Sequence, residues 1–204
     1  MVASLAQYFC YNFGDAYSWH WHHRPTFVFC FVRDYGIIMA TYDAISTQTL
    51  TSSAASVTFS SIPQTYTDLV LVVAVRYVAS GGNGSIQFNG DTGANYSYTR
   101  FDGNGTSATS GRSSNNSQIY LSTNGIGNTT DTSQINTSIQ NYSNTSTYKT
   151  IISRAAWNGS LGAEVDVRVG LWRSTSAISS ILVAAYSQNF STGSTFTLYG
   201  IKAA

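Results

Sequence analysis

The segment Thr67–Val78, TDLVLVVAVRYV, limits what this chain can fold into more than any other stretch. In an extended chain Leu69, Leu71, Val73, Val75 and Tyr77 fall on one side. Val70, Val72, Ala74 and Val78 fall on the other, interrupted only by Arg76. A strand half open to water alternates apolar with polar residues, so a run apolar on both sides predicts a central strand covered twice. The run is short for a helix and dominated by β-branched residues, and Ile62-Pro63-Gln64 supplies the turn that leads into it. The second side has two readings. It is ordinary core, the commoner fate of such runs, or it is a face that another subunit covers.

Turn residues punctuate the rest of the chain from Met39 onward. Strands are predicted over Ala55–Ser60, Asp68–Val78, Ser85–Asn89, Asn95–Phe101, Ile119–Ser122, Ser133–Tyr142, Tyr148–Trp157, Ala163–Trp172, Ala177–Tyr186 and Ser194–Lys202. Ser85–Asn89 is expected to answer the central strand as a hairpin across the Ser80–Gly84 turn. Residues 102–118 show no apolar periodicity and read as a long exposed loop, and residues 123–131 as another. Ala163–Trp172 alternates most cleanly. Val165, Val167, Val169 and Leu171 are expected to face inward, with Glu164, Asp166 and Arg168 outward as a weak surface ion pair. About nine or ten short strands with uneven loops and no amphipathic helix predict an all-β fold. The architecture expected is a single antiparallel β-sandwich, jelly-roll-like and not an up-and-down barrel.

The first 38 residues differ in kind. They hold both cysteines, all three histidines and two of the four tryptophans, and at Met39 the texture changes to Ser, Thr, Asn and Gly. No Lys or Arg precedes Arg24, which argues against a secretory signal. Cys10, His20, His22, His23 and Cys30 lack the paired spacing of zinc modules, while a Cys10–Cys30 disulfide stays open. The expected organisation is an aromatic-rich extension over residues 1–38, disordered or the product of an early start assignment, and a sandwich domain over 39–204. On the early-start reading Met39 is the initiator, and the intact mass of native protein tests it.

With a formal charge of +1 and nine per cent charged residues, the chain has no field to draw in nucleic acid or an anionic membrane. Its apolar runs fall short of the roughly 20 residues that a membrane-spanning helix needs. After Met39 there is no histidine and no cysteine, which removes Ser-His-Asp and Cys-His catalysis from the domain. No enzymatic activity and no cofactor are expected. Asp91, Asp102 and Asn104 sit in glycine-kinked loops that offer part of a calcium ligand set, though ordinary turn chemistry favours the same residues. Tyr96, Tyr98, Arg100 and Trp157 are the candidate ligand-binding residues. Aromatic rings can stack on a sugar while an arginine bonds its hydroxyls, and the competing expectation for strand tryptophans such as Trp157 and Trp172 is the core.

Four segments carry a likeness to a known group: SSIPQTYTDLVLVVAVR (Ser60–Arg76), IQFNGDTGANYSYTR (Ile86–Arg100), VGLWRSTSAISSI (Val169–Ile181) and FTLYGIKAA (Phe196–Ala204). In these the chain resembles small virion structural proteins of tailed bacteriophages over residues 39–204. The resemblance implies a β-sandwich component of the particle, of tail, fibre or capsid-decorating type, localised to the virion. It implies partners among other virion proteins and further copies of the chain, and it carries over no catalytic residues. The alternative expectation is a module that recognises a host receptor or surface glycan.

Overall fold

The computed structural model describes residues 7–11, 29–33, 41–122, 130–159 and 162–202. The chain divides into two compact units, Met1–Met39 and Ala40–Ala204. In the first, β1 (Gln7–Tyr11) pairs antiparallel with β2 (Phe29–Arg33), and the register sets the backbone of Cys10 opposite that of Cys30. His20, His22, His23 and Met39 lie outside the described residues, as does most of the loop expected at 123–131.

The second unit is all-β. Its strands are β3 (Thr41–Thr49), β4 (Ser56–Phe59), β5 (Asp68–Val75), β6 (Asn83–Phe88), β7 (Tyr96–Gly103), β8 (Ala108–Asn116) and β9 (Ile119–Tyr120). They continue with β10 (Ser133–Gln140), β11 (Lys149–Gly159), β12 (Gly162–Trp172), β13 (Ile181–Tyr186) and β14 (Thr195–Lys202). Eight form one sheet in the order β3-β14-β5-β10-β11-β12-β7-β8, and four form another in the order β4-β13-β6-β9. Every pairing is antiparallel, and the chain passes repeatedly from one sheet to the other, as the sandwich expectation requires. Among the described residues no helix is long and apolar enough to cross a membrane.

β5 lies between β14 and β10, and its Leu69, Leu71, Val73 and Val75 are fully enclosed. They share the core with Val57 and Phe59 of β4, Ile86 and Phe88 of β6, and Ile181 and Val183 of β13. The side bearing Val70, Val72 and Ala74 points the other way. Val70 is buried, level with Tyr199 of β14, but Val72 and Ala74 are only half-buried. The run is apolar on both faces, yet only one face meets the opposite sheet.

Several expectations change. β6 does not pair with β5; it lies in the small sheet between β13 and β9. The Ser80–Gly84 stretch is therefore a crossing between layers, drawn so tightly over Tyr77 that a Cβ on Gly82 would meet its ring at 2.2 Å. Residues 102–118 are not a loop. β7 runs to Gly103, turns through Asn104–Ser107 and returns as β8, nine residues long. β3 is a further strand that the pattern gave no sign of, and the strand expected over Ala177–Tyr186 begins only at Ile181, as β13. β3 and β8 are the two edges of the large sheet. Ser, Thr and Asn dominate them because an edge strand half in water gains little from an apolar stripe and risks pairing with other chains.

Candidate functional site

The strongest departure from expectation is β12, which is inside out. Asp166 and Arg168 are 1% and 2% exposed, whereas Val165 is 60% exposed, Val169 45% and Val167 38%. Its C-terminal end explains the orientation. Trp172 shares a face with Asp166, Arg168 and Gly170, and it packs on Phe88 at 5.5 Å and stacks on Tyr96 at 6.3 Å between ring centroids. The indole N–H donates to the Asp91 carboxylate at 2.6 Å. A side chain at Gly170 would come within 2.8 Å of Ile119 and 2.9 Å of Ile151, so this face must lie against the core. Strand parity has a period of two, so placing Trp172 inward places the valines outward.

The outward valines are not isolated. Val169 stands opposite Ile152 of β11 and Val167 opposite Phe101 of β7, which is 55% exposed. On the outer face of the large sheet Val165, Val167 and Val169 thus line up along β12 with Ile152 and Phe101 beside them, bordered by Arg154 opposite Val167 and Thr99 opposite Val169. Scattered exposed apolar residues are ordinary, and a row of neighbouring ones is a candidate contact surface.

On the inner face, Asp166 and Arg168 belong to a second feature. The large sheet extends past β9, the edge of the small sheet, and along this overhang the inward positions are charged and aromatic. Arg168 bonds Asp166 through Nε at 3.1 Å and Nη2 at 3.0 Å, and donates Nη1 to the Tyr120 carbonyl at 3.3 Å. Its guanidinium lies 5.2 Å from the Tyr98 ring centroid. Arg100, directly opposite Arg168 on β7, pairs with Asp102 at 3.2 Å. Two ion pairs thus lie side by side, each along its own strand, with arginine facing arginine and aspartate facing aspartate.

The tyrosines complete this region. Tyr98 meets Tyr120 edge to face at 6.3 Å, and Tyr120 meets Tyr186 at 5.4 Å. A cleft of about 430 Å³ opens between these rings and Arg100, Arg112 and Arg168. Gly111 of β8 lies opposite Arg100, and a Cβ there would meet Arg100 Nε at 2.8 Å, so the arginine side chain would have to shift. Beyond the aspartates the local charge reverses. Glu164 has its carboxyl pushed up, first by burial and then by Asp102 and Asp166.

Of the residues singled out from the sequence, Tyr98 and Arg100 line this cleft together. Tyr96 does not. It is fully buried, its hydroxyl accepts from Phe88 N at 3.0 Å, and burial pushes its pKa up to about 12. Trp157 is also a core residue, with one edge on a separate depression beside Asn104, Gly105 and Glu164. The calcium candidates are engaged locally. Asp91 accepts from Gly93 N, Asn95 Nδ2 and Trp172 Nε1. Burial works to raise its pKa, but these hydrogen bonds outweigh that and hold it below the usual value. Asp102 accepts from Thr109 and faces Arg100, while Asn104 Oδ1 accepts from Thr106 and Ser107 within its own turn. Among the described residues no three His, Cys, Asp or Glu side chains group as a metal site.

Tyr120, Tyr186, Arg112 and Arg168 were not anticipated as cleft residues. Arg168 had a readable signal, because it shares parity with Trp172. Tyr120 and Tyr186 come from the small sheet, and only the packing of the two layers brings them to Tyr98. Comparison with family models, with curated proteins and with solved structures finds no match.

Proposed function

We propose that this chain is a non-enzymatic structural component of a tailed-phage particle, of tail, fibre or capsid-decorating type. In this reading it assembles with copies of itself and with other virion proteins through the outer face of its large sheet. The supporting observation is the inverted β12, with Val165, Val167 and Val169 aligned beside Ile152 and Phe101 in water. Burying such a side chain completely from full exposure gains roughly 1.5–3 kcal/mol, and at 38–60% exposure only the corresponding part of that gain is left for a partner to supply. The phage setting rests on the resemblance carried by residues 39–204. A sheet face on which β12 presents its valines suits repeated packing in a symmetric assembly, with Arg154 beside Val167 as its charged border.

Sedimentation of the purified chain over a concentration series tests this reading. Self-association is expected, and Val167→Arg is expected to shift the population to monomer while the far-ultraviolet dichroism stays unchanged. A wild-type protein that is monomeric at the highest concentration and does not bind phage particles would overturn it. A second reading, recognition of a host surface glycan, is favoured by one specific observation: Tyr98 and Arg100 share a cleft with two further tyrosines and two further arginines.

A further inference from the structure

We propose that the cleft between the overhang of the large sheet and β9 binds an acidic saccharide, with the carboxylate on the arginines and the sugar ring against the tyrosines. The proposal deepens the glycan-recognition reading and rests on it. The cleft volume, about 430 Å³, falls in the range of roughly 300–1,000 Å³ typical of small-molecule sites.

Charge selects the ligand class. Among the residues lining the cleft three are arginines and none is acidic. Asp102 and Asp166 neutralise part of that charge, but each lies two residues along its strand from its arginine, toward Glu164 and away from Tyr98. The arrangement is polarised, positive at the tyrosine end and negative at the other. Arg168 is held by Asp166 through Nε and Nη2 and by the Tyr120 carbonyl through Nη1, so it contributes charge to the cleft wall and leaves direct contact with a ligand to the more exposed Arg100 and Arg112. The Arg100 side chain is one-third exposed, and Arg112 is exposed on the edge strand β8. A planar guanidinium fork matches a carboxylate with two parallel hydrogen bonds, a geometry a neutral sugar cannot return.

The tyrosines select the rest of the ligand. Tyr98, Tyr120 and Tyr186 follow one another edge to face in the lining of the cleft, and Tyr186 is half exposed. Such rings present apolar surface to the C–H face of a pyranose and a hydroxyl to its rim. A bare anion would use the arginines and leave this row without a role. Gly111 links the two halves, since any side chain there would displace Arg100 from the wall.

Titration calorimetry on the full chain decides the matter, with trigalacturonate and sialyllactose as acidic probes. The methyl ester of trigalacturonate, lactose and inorganic phosphate are the controls. At least one acidic probe is expected to bind, its neutral counterpart at least tenfold more weakly, and added salt to weaken the acidic one. Arg112→Gln and Tyr186→Ser, both at exposed positions, are each expected to weaken binding several-fold with the unfolding midpoint unchanged. The proposal is overturned if neither acidic probe binds or if acid and neutral forms bind alike. It also falls if phosphate competes as well as the sugar acid, or if both variants bind like wild type. Sedimentation of the same samples keeps the outcomes separate. Loss of saccharide binding with self-association intact removes this site and leaves the structural reading standing.

Discussion

β5 and β12 belong to the same sheet and each carries a row of branched apolar residues at alternate positions, yet they use these rows in opposite ways. β5 sends Leu69, Leu71, Val73 and Val75 into the core and keeps a second, half-covered apolar side. β12 sends an ion pair inward and its valines out. What differs is the material across from each. The small sheet covers the inner side of β5 with Val57, Phe59 and Val183, whereas β12 lies near the end of the small sheet, where β9 is only two residues long. Apolar alternation therefore does not by itself say which side of a strand meets the core.

The largest expected effects separate the two inner faces. Leu71→Ala should cost about 3 kcal/mol by urea unfolding, since it empties an enclosed site. Asp166→Ala should cost a similar amount, about 3–5 kcal/mol, for a different reason: it leaves the buried Arg168 guanidinium without its counter-charge. A double variant distinguishes the causes. Asp166→Leu with Arg168→Met removes both charges and should recover most of the loss, because a buried ion pair is often no more stabilising than apolar side chains of similar size. If the double variant is as unstable as Asp166→Ala, the inner face of β12 depends on that ion pair itself, and the contrast with β5 is one of chemistry and not of covering.

The orientation of β12 was legible only in part. The strands themselves, from Ser56–Phe59 to Thr195–Lys202, follow from runs of β-formers and from turns such as Asn89-Gly90, where φ is 53° and 68°. The all-β sandwich follows from those runs. What failed was any inference that needed a partner across space. The edges β3 and β8 lack a stripe because no layer presses on most of either. β6 was assigned to its sequence neighbour, although Tyr77 and Gly82 carry the chain to the other sheet. On β12 three valines favour one side and Trp172 the other, and the packing of Trp172 on Phe88 and Tyr96 goes with the side that faces the core. Tyr98 and Arg100 could be named from sequence, because a Tyr-x-Arg pair on one side of a strand is readable. Tyr120 and Tyr186 could not, since their approach depends on how two sheets stack.

A smaller effect tests whether Trp172 is the anchor that sets this orientation. Asp91 holds the indole and its own loop, so Asp91→Asn should cost about 1 kcal/mol at neutral pH, a fraction of a charged hydrogen-bond network at a partly exposed site. The pH dependence gives the sign. The folded-state pKa of Asp91 is lowered, so its contribution is present above the unfolded value near 3.8 and disappears as pH falls through the folded one. The stability gap between wild type and Asp91→Asn should therefore be widest at neutral pH and close in acid. A gap that does not change with pH would mean that shape, not charge, positions Trp172.

The smallest effect on folding bears most directly on the outer face. Val167→Thr keeps the branched shape on an exposed strand position, where β-propensity is similar and little apolar surface is lost within one copy. In dilute solution, where each copy stands alone, the change should alter unfolding stability by less than about 0.5 kcal/mol. At high concentration the same substitution should weaken self-association, because there the valine is desolvated by a neighbour and the hydroxyl is not easily paired. Stability that falls by more than 1 kcal/mol in dilute solution would show that Val167 already serves the fold of the single chain. The outward row of β12 would then be a second, shallow core like the half-covered side of β5, and the two strands would differ only in degree.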